Sequence, residues 1–269
     1  MDFNEHLHSS AACHSVKEAV ISFFVRPRIE QPIKYRELIV CDTYIHKNYA
    51  KFEPVKEISL SLNVNKANTE LRQVSDAGFK FIGYKNGVTS DIIQGINEPR
   101  RSVFTFNTLA YDRWDGYVES TMAAVKDIAS FGQPFWVTAY GLMFIDEFYV
   151  DDKKEYLASE LFDLESRYLP VGIEDSSFVD FSLNLNKQKD GRRYVENMQI
   201  KVFDRNTQKV VQIIDNISFI QDGEQMLFSD MVNSEKPLRD LCFAHDENKQ
   251  MLISLLKPEI SKSIGLCAC

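Results

Sequence analysis

From residue 133 to residue 152 the chain reads QPFWVTAYGLMFIDEFYVDD, and no charge interrupts it before Asp146. Taken at a period of two, one face carries Phe135, Val137, Ala139, Gly141, Met143 and Ile145. The other carries Trp136, Thr138, Tyr140, Leu142 and Phe144. Two apolar faces mark a strand covered on both sides, since a half-exposed strand alternates apolar with polar. Fully extended, residues 135–150 would run roughly 50 Å at about 3.3 Å per residue, beyond a usual strand. The segment is therefore expected to bend at Gly141 or to serve two sub-sheets in turn. Phe135, Trp136, Tyr140, Gly141, Leu142 and Phe144 are its structural residues, and Trp114 opens the helix that leads into it.

The flanking segments supply the rest of the architecture. Residues 16–25 alternate as a strand and stop at Pro27. Tyr35, Leu38, Cys41, Ile45 and Tyr49 follow a helical period, and residues 57–64 alternate cleanly. Residues 79–84 and 88–94 flank Lys85-Asn86-Gly87, a hairpin signal because both Asn and Gly tolerate the positive φ of a type I′ turn. Another strand covers 102–107. Asp112 is the expected cap of a helix bearing Trp114, Val118, Met122, Val125 and Ile128. Beyond the long strand, Tyr156, Leu157, Leu161 and Leu164 predict a helix over 153–168. Strands follow at 178–185, 194–203 and 210–220, turning at Asp190-Gly191 and Arg205-Asn206. Leu238, Leu241, Cys242, His245, Leu252 and Leu255 then keep a helical period. The class is α+β: antiparallel meanders with helices on one face, in two similar halves joined by the long strand. The expected division is a loose leader at 1–15, halves at 16–150 and 151–265, and a tail at 266–269.

No apolar run approaches the roughly 20 residues that cross a bilayer, and the first residues do not read as a signal peptide. A soluble, cytoplasmic protein is the expectation. A net charge of −8 argues against a nucleic-acid surface over the whole molecule. The five cysteines are scattered and odd in number, unlike a disulfide framework. Cys41 and Cys242 read as small buried hydrophobes. Cys267 and Cys269 resemble a double-prenylation signal, but no phosphate-binding loop supports one. His6, His8, Cys13 and His14 match no zinc-site spacing.

Enzyme signatures and cofactor motifs are absent, so no catalytic residue and no cofactor is expected. His245 and His46 read as packing histidines. Asp146 and Glu147 place one carboxylate on each face of the long strand. They read as a buried acid with a raised pKa or, with Asp151 and Asp152, as metal ligands, set against the reading in which the sheet edge has been reached, Asp146 and Glu147 are solvated, and Asp151 and Asp152 sit at a helix N-terminus. Arg100 and Arg101 mark one meander turn; Lys187, Lys189, Arg192 and Arg193 mark another. These could hold a phosphate backbone, or serve as turn charges that discourage edge pairing.

Several landmarks resemble a sporadically distributed, uncharacterised prokaryotic family of about this length. They are Val16-x-Glu18-Ala19-Val20, Arg26-Pro27, Phe52-Glu53-Pro54-Val55, residues 104–111 with Trp114, and the long strand. Leu241-x-x-x-His245-Asp246 and the final helix to Gly265 complete them, so the likeness covers residues 16–265. Family members carry an Arg-Tyr-Ile-Asn-Arg-like run in the long strand, where this chain has LMFIDE and no arginine. The resemblance implies no activity; its distribution implies an accessory or defence setting. The leading expectation is a non-catalytic protein that binds a protein partner on a sheet face or edge, with homo-oligomerisation open. Nucleic-acid binding through Arg100, Arg101, Lys189, Arg192 and Arg193 is the alternative. A metal-dependent enzyme using the acidic cluster is the third.

Overall fold

The computed structural model describes residues 7–9, 14–63, 68–151, 156–221, 223 and 226–266, and within 58–75 the backbone alone. The strands are β1 (Leu7–Ser9), β2 (Val16–Arg26), β3 (Lys51–Asn63), β4 (Asn68–Lys85), β5 (Val88–Asn97) and β6 (Ser102–Thr108). They continue with β7 (Trp136–Asp151), β8 (Val179–Lys189), β9 (Arg192–Arg205), β10 (Gln208–Ile220) and β11 (Met226–Leu227). A 3-10 helix covers Pro32–Ile39. The α-helices are α1 (Tyr44–Asn48), α2 (Trp114–Ser130), α3 (Ala158–Leu161), α4 (Phe228–Met231), α5 (Glu235–Leu255) and α6 (Pro258–Ser263). The strands form one large antiparallel sheet, ordered β3-β4-β5-β6-β2-β7-β10-β9-β8, with β1 and β11 also paired to β7. The fold is α+β, and the long strand has strands from earlier and later in the chain on its two sides.

The alternation of β7 is lopsided. Leu142, Phe144, Asp146, Phe148 and Val150 are all buried on one face, whereas Met143, Ile145 and Tyr149 are half-buried on the other. Trp136, expected in the core, is 42% exposed at the start of the strand. Gly141 has the role its position suggests: a Cβ there would lie 2.5 Å from the Ile217 carbonyl oxygen, so the backbones of β7 and β10 approach where a side chain has no room.

The chain divides into two compact units, but not at the expected residue 150. One comprises residues 21–140 and 221–235; the other comprises 1–20, 141–220 and 236–269. In the first, Lys85 pairs with Val88 across Asn86 and Gly87, whose φ angles of 55° and 78° suit the expected tight turn. Its core is aromatic, with Phe104 between Phe135 and Phe228, and Tyr35 stacked on Phe79. The Tyr117 hydroxyl on α2 accepts from the Ile21 amide at 2.8 Å and donates to the Phe106 carbonyl at 2.6 Å, tying helix to sheet. Asp112 does not cap α2; Arg113 occupies the cap position without a side-chain bond. The helix expected through Tyr49 breaks, because Thr43 donates to the Leu38 carbonyl and accepts from the His46 amide, starting α1 afresh. Cys41 lies exposed at that break.

In the second unit, Leu7–Ser9, expected in a loose leader, pairs with Val150–Phe148. The core joins Phe148, Val150, Met198, Ile200, Val202, Val211 and Ile213 of the sheet to Met251, Leu252 and Leu255 of α5. The helix expected over 153–168 is reduced to the single turn of α3. Its backbone bonds go to the end of α5 instead: Asp163 N donates to Leu255 O at 2.9 Å, and Lys257 N to Leu161 O at 3.3 Å. Of the apolar residues that suggested a helix, Tyr156 and Leu161 are buried and Leu157 is half-buried, but Leu164 is exposed. No helix among the described residues is long and apolar enough to cross a membrane.

Candidate functional site: an ionisable row leading to the β8 edge

The functional features gather in the second unit, on the face of β7, β10, β9 and β8 that α5 covers. Each strand presents an apolar row to that face, and ionisable residues interrupt each row, Lys189 following Lys187 on β8 and Lys209 preceding Asp215 on β10. On β7 Asp146 follows Leu142 and Phe144; on β10 Asp215 lies between Ile213 and Ile217. On β9 Glu196 lies between Tyr194 and Met198; on β8 Lys187 follows Phe181, Leu183 and Leu185. Register sets the spacing. Glu196 pairs with Leu185 and Lys187 with Tyr194, so Lys187 and Glu196 are diagonal neighbours. Asp215 pairs with Met198 and Ile217 with Glu196, so Glu196 and Asp215 are diagonal as well. Diagonal pairs are within reach of long side chains.

Lys187 and Glu196 form an ion pair, and Lys187 also donates to the Tyr168 hydroxyl at 3.2 Å. Desolvation presses the Lys187 ammonium toward its neutral form, but the bond to Glu196 outweighs it and the pKa is raised. Asp215 accepts from Asn248 of α5 at 3.2 Å through one oxygen, while the other has no partner among the described residues. Burial, then the Glu196 charge, push its pKa up to about 7. Asp146 accepts from Ser15 Oγ at 2.6 Å, again through one oxygen, and burial raises it to about 6. Asp215 lies in the field of Glu196, Lys187 and Asp146, and burial favours the neutral form of both Asp146 and Asp215.

Where α5 and the 163–168 segment meet the Lys189 end of β8, a cleft of about 510 Å³ opens. Tyr168 stands in it, with the Arg167 guanidinium and the Lys187 ammonium about 5 Å from its ring centre (5.1 and 5.0 Å). Lys189 bonds Glu247 at 2.5 Å, and the Tyr194 hydroxyl bonds the same carboxylate at 3.1 Å.

The sequence candidates separate on this frame. Asp146 and Glu147 do face opposite sides of β7, but both are buried, so the solvated reading does not hold for them. Glu147 is held by Lys17 at 2.8 Å, Arg205 at 3.1 and 3.3 Å and Gln212 at 3.2 Å. Desolvation raises its pKa, and the bonds from Arg205 and Lys17 overcome that and lower it. Asp151 is half-exposed between His8, at 2.8 Å, and Gln208, at 2.7 Å. Asp152 lies outside the described residues, as do His6, Cys13, Cys267 and Cys269. Carboxylates on opposite strand faces cannot share an ion, and no group of three or more metal-ligating side chains forms among the described residues. Of the basic residues, Arg192 bonds Asp240 at 2.8 Å and Lys189 bonds Glu247, so acids of α5 neutralise both. Arg193 is exposed. Arg101 bonds Glu98 at 2.6 Å and covers Phe24, beside exposed Arg100, in the other unit. Asp215, Glu196, Arg167, Tyr168 and Glu247 were not among the sequence candidates. The first two had a readable signal, a single acid in an otherwise apolar alternating row.

β8 itself ends the strand order. All eleven of its residues pair with β9 in unbroken register, and no strand among the described residues pairs with its other side. Its Phe181, Leu183 and Leu185 are half-buried on the α5 face, and Asp180, Ser182, Asn184, Asn186 and Gln188 are exposed on the other. The opposite end strand, β3, carries Pro54, and its pairing with β4 shifts register at Val55/Lys56 and Ser59/Leu60, the extra residue lying in β4 each time. Bulges, prolines and lysines are the usual protection of a free edge; β8 has no bulge and no proline, and its lysines, Lys187 and Lys189, are confined to one end.

Compared with known proteins, the chain matches no family model, no curated protein and no solved structure. The family resemblance is carried by its sequence landmarks alone.

Proposed function

We propose that this chain is a non-catalytic binding protein whose protein partner adds an extended segment to the free edge of β8. The observation that carries this reading is the contrast between the end strands: β3 carries Pro54 and its pairing with β4 shifts register twice, whereas β8 offers eleven residues in continuous register. An unprotected edge supplies main-chain donors and acceptors at a regular spacing, and strand addition uses them for affinity. The side chains flanking the edge specify the partner's chemistry. A strand laid against β8 would put apolar residues beside Phe181, Leu183 and Leu185, and polar ones beside Ser182, Asn184 and Asn186. The partner segment is therefore alternating and about ten residues long. The Lys187–Glu196 pair and the buried acids behind it hold β8 and β9 in one register under α5, keeping the edge straight. An accessory-system setting, which the family resemblance suggests, is compatible with a protein that works by recruiting another.

Proline substitution tests this. Asn184 and Leu185 are consecutive, so their amides point to opposite sides of β8; one faces β9 and one faces the edge. Of Asn184→Pro and Leu185→Pro, the variant closer to the parent in melting temperature has lost the edge amide. Against a partner isolated from the native host and purified, that variant is expected to bind at least about tenfold more weakly, the scale of one or two lost main-chain bonds. Unchanged affinity in that variant would remove the β8 reading.

A further inference from the structure

We propose that the sheet face turned away from α5 is a binding site for an extended, uncharged glycan, seated on a row of three asparagines. That face is formed by the even-numbered residues of β8 and β10 and the odd-numbered residues of β9. Register places Asn184 directly opposite Asn197, and Asn197 directly opposite Asn216, so three side-chain amides line up across three adjacent strands. Asn184 and Asn197 are exposed, and Asn216 is half-buried. Neither Asn184 nor Asn197 makes a side-chain hydrogen bond among the described residues, and Asn216 uses only its oxygen, accepting from Ser218 Oγ at 3.3 Å. Strands disfavour asparagine and favour β-branched residues such as threonine. Asparagines at 184 and 197 break that preference with no bond in compensation, the mark of a functional position.

The chemistry of the face selects the ligand. It carries eight Asn and Gln side chains against four charged ones. Most of those charges are engaged within the protein: Lys201 lies opposite Asp180, 3.9 Å from its carboxylate, and Arg205 holds Glu147. A polyanion would find no cationic stripe here. A protein partner would need an apolar centre, whereas the exposed side chains around the row, Ser182 and Asn186 among them, are polar. An amide offers donors and an acceptor on one group, which matches a hydroxyl, itself donor and acceptor. Neighbouring strands stand about 4.8 Å apart, close to the length of one sugar ring in a straight β-linked chain. Consecutive sugars laid across β8, β9 and β10 would therefore each meet one asparagine. Ser182 and Gln199, opposite each other in the next row, extend the set to further hydroxyls. Strand addition at β8 uses main-chain groups, so the two sites do not compete.

The test titrates the full chain, with no partner present, with cellohexaose and chitohexaose as straight β-linked probes. Maltohexaose, which coils, and glucose are the controls. Side-chain amide NMR is expected to show saturable shifts at Asn184, Asn197 and Asn216 with at least one straight probe. That probe should bind about tenfold more tightly than either control, the scale of one or two additional hydrogen bonds. A double variant, Asn184→Thr with Asn197→Thr, should keep or raise the melting temperature, because threonine suits a strand, and yet bind that probe about tenfold more weakly. Absence of saturation by both straight probes at millimolar concentration, equal binding of maltohexaose, or unchanged binding by the double variant would overturn the proposal. So would concentration-dependent self-association of the parent chain that the double variant loses, since a second copy would then cover the row.

Discussion

Asp146 and Asp215 bury carboxyl groups that each have one bonded oxygen and one without a partner among the described residues, and this gives the protein a pH signature. Their pKa values are raised to about 6 and about 7, so the folded state holds protons that the unfolded chain has already released. Stability from these two groups is full below the unfolded carboxylate pKa of about 4, declines as pH rises through the folded values of about 6 and about 7, and levels off above about pH 8. Each contributes a slope of up to about 1.4 kcal/mol per pH unit within its window. Glu147 has the opposite sign: its lowered pKa removes stability only as pH falls through the acid range. Urea unfolding between pH 5 and pH 8 therefore isolates the buried pair. Asp215→Asn should flatten the slope and match or exceed the parent at pH 8; an unchanged slope would show that Asp215 is not protonated in the fold. Single acids in apolar rows were legible in the sequence at 196 and 215. Which side of each strand would be covered was not, since that depends on where α5 lands.

At the scale of elements, β7 is the most exacting piece. Leu142 is 2% exposed, and Leu142→Asp would put a carboxylate into a buried apolar position, costing ~3 kcal/mol or more. Gly141→Ala places a methyl against the Ile217 carbonyl and should cost about 1–3 kcal/mol by forcing β7 from β10. Thermal melts of both variants check these; parental melting temperatures would mean that the strand is not packed as described. The strands were readable because side-chain alternation survives in each, and the Asn86-Gly87 and Asp190-Gly191 turns adopt the positive φ their residues favour. The 153–168 helix failed for a specific reason. Its apolar spacing was met by a loop whose amides bond the end of α5, a partner almost a hundred residues away that no local window contains.

For the molecule as a whole, the proposed function turns on which strands end the sheet. That was the least legible property, because strand order comes from long-range pairing, whereas periodicity reports only faces. The sequence divides at 150, yet the compact units interleave: residues 221–235 return to one unit and 236–269 to the other. Electrostatics follows the same logic. Lys189 and Arg192 read as a basic tip until α5 places Glu247 and Asp240 beside them. With a net charge of −8, the intact chain should show no salt-dependent binding to a duplex near physiological ionic strength; a steep salt dependence would restore the nucleic-acid reading. The most direct test of the β8 edge is residue-resolved amide hydrogen exchange over Val179–Lys189, free and with the purified partner. The account predicts alternate fast and slow amides in the free chain and slowing of the fast set in the complex. Uniformly slow exchange in the free chain, or partner protection that bypasses β8, would contradict it.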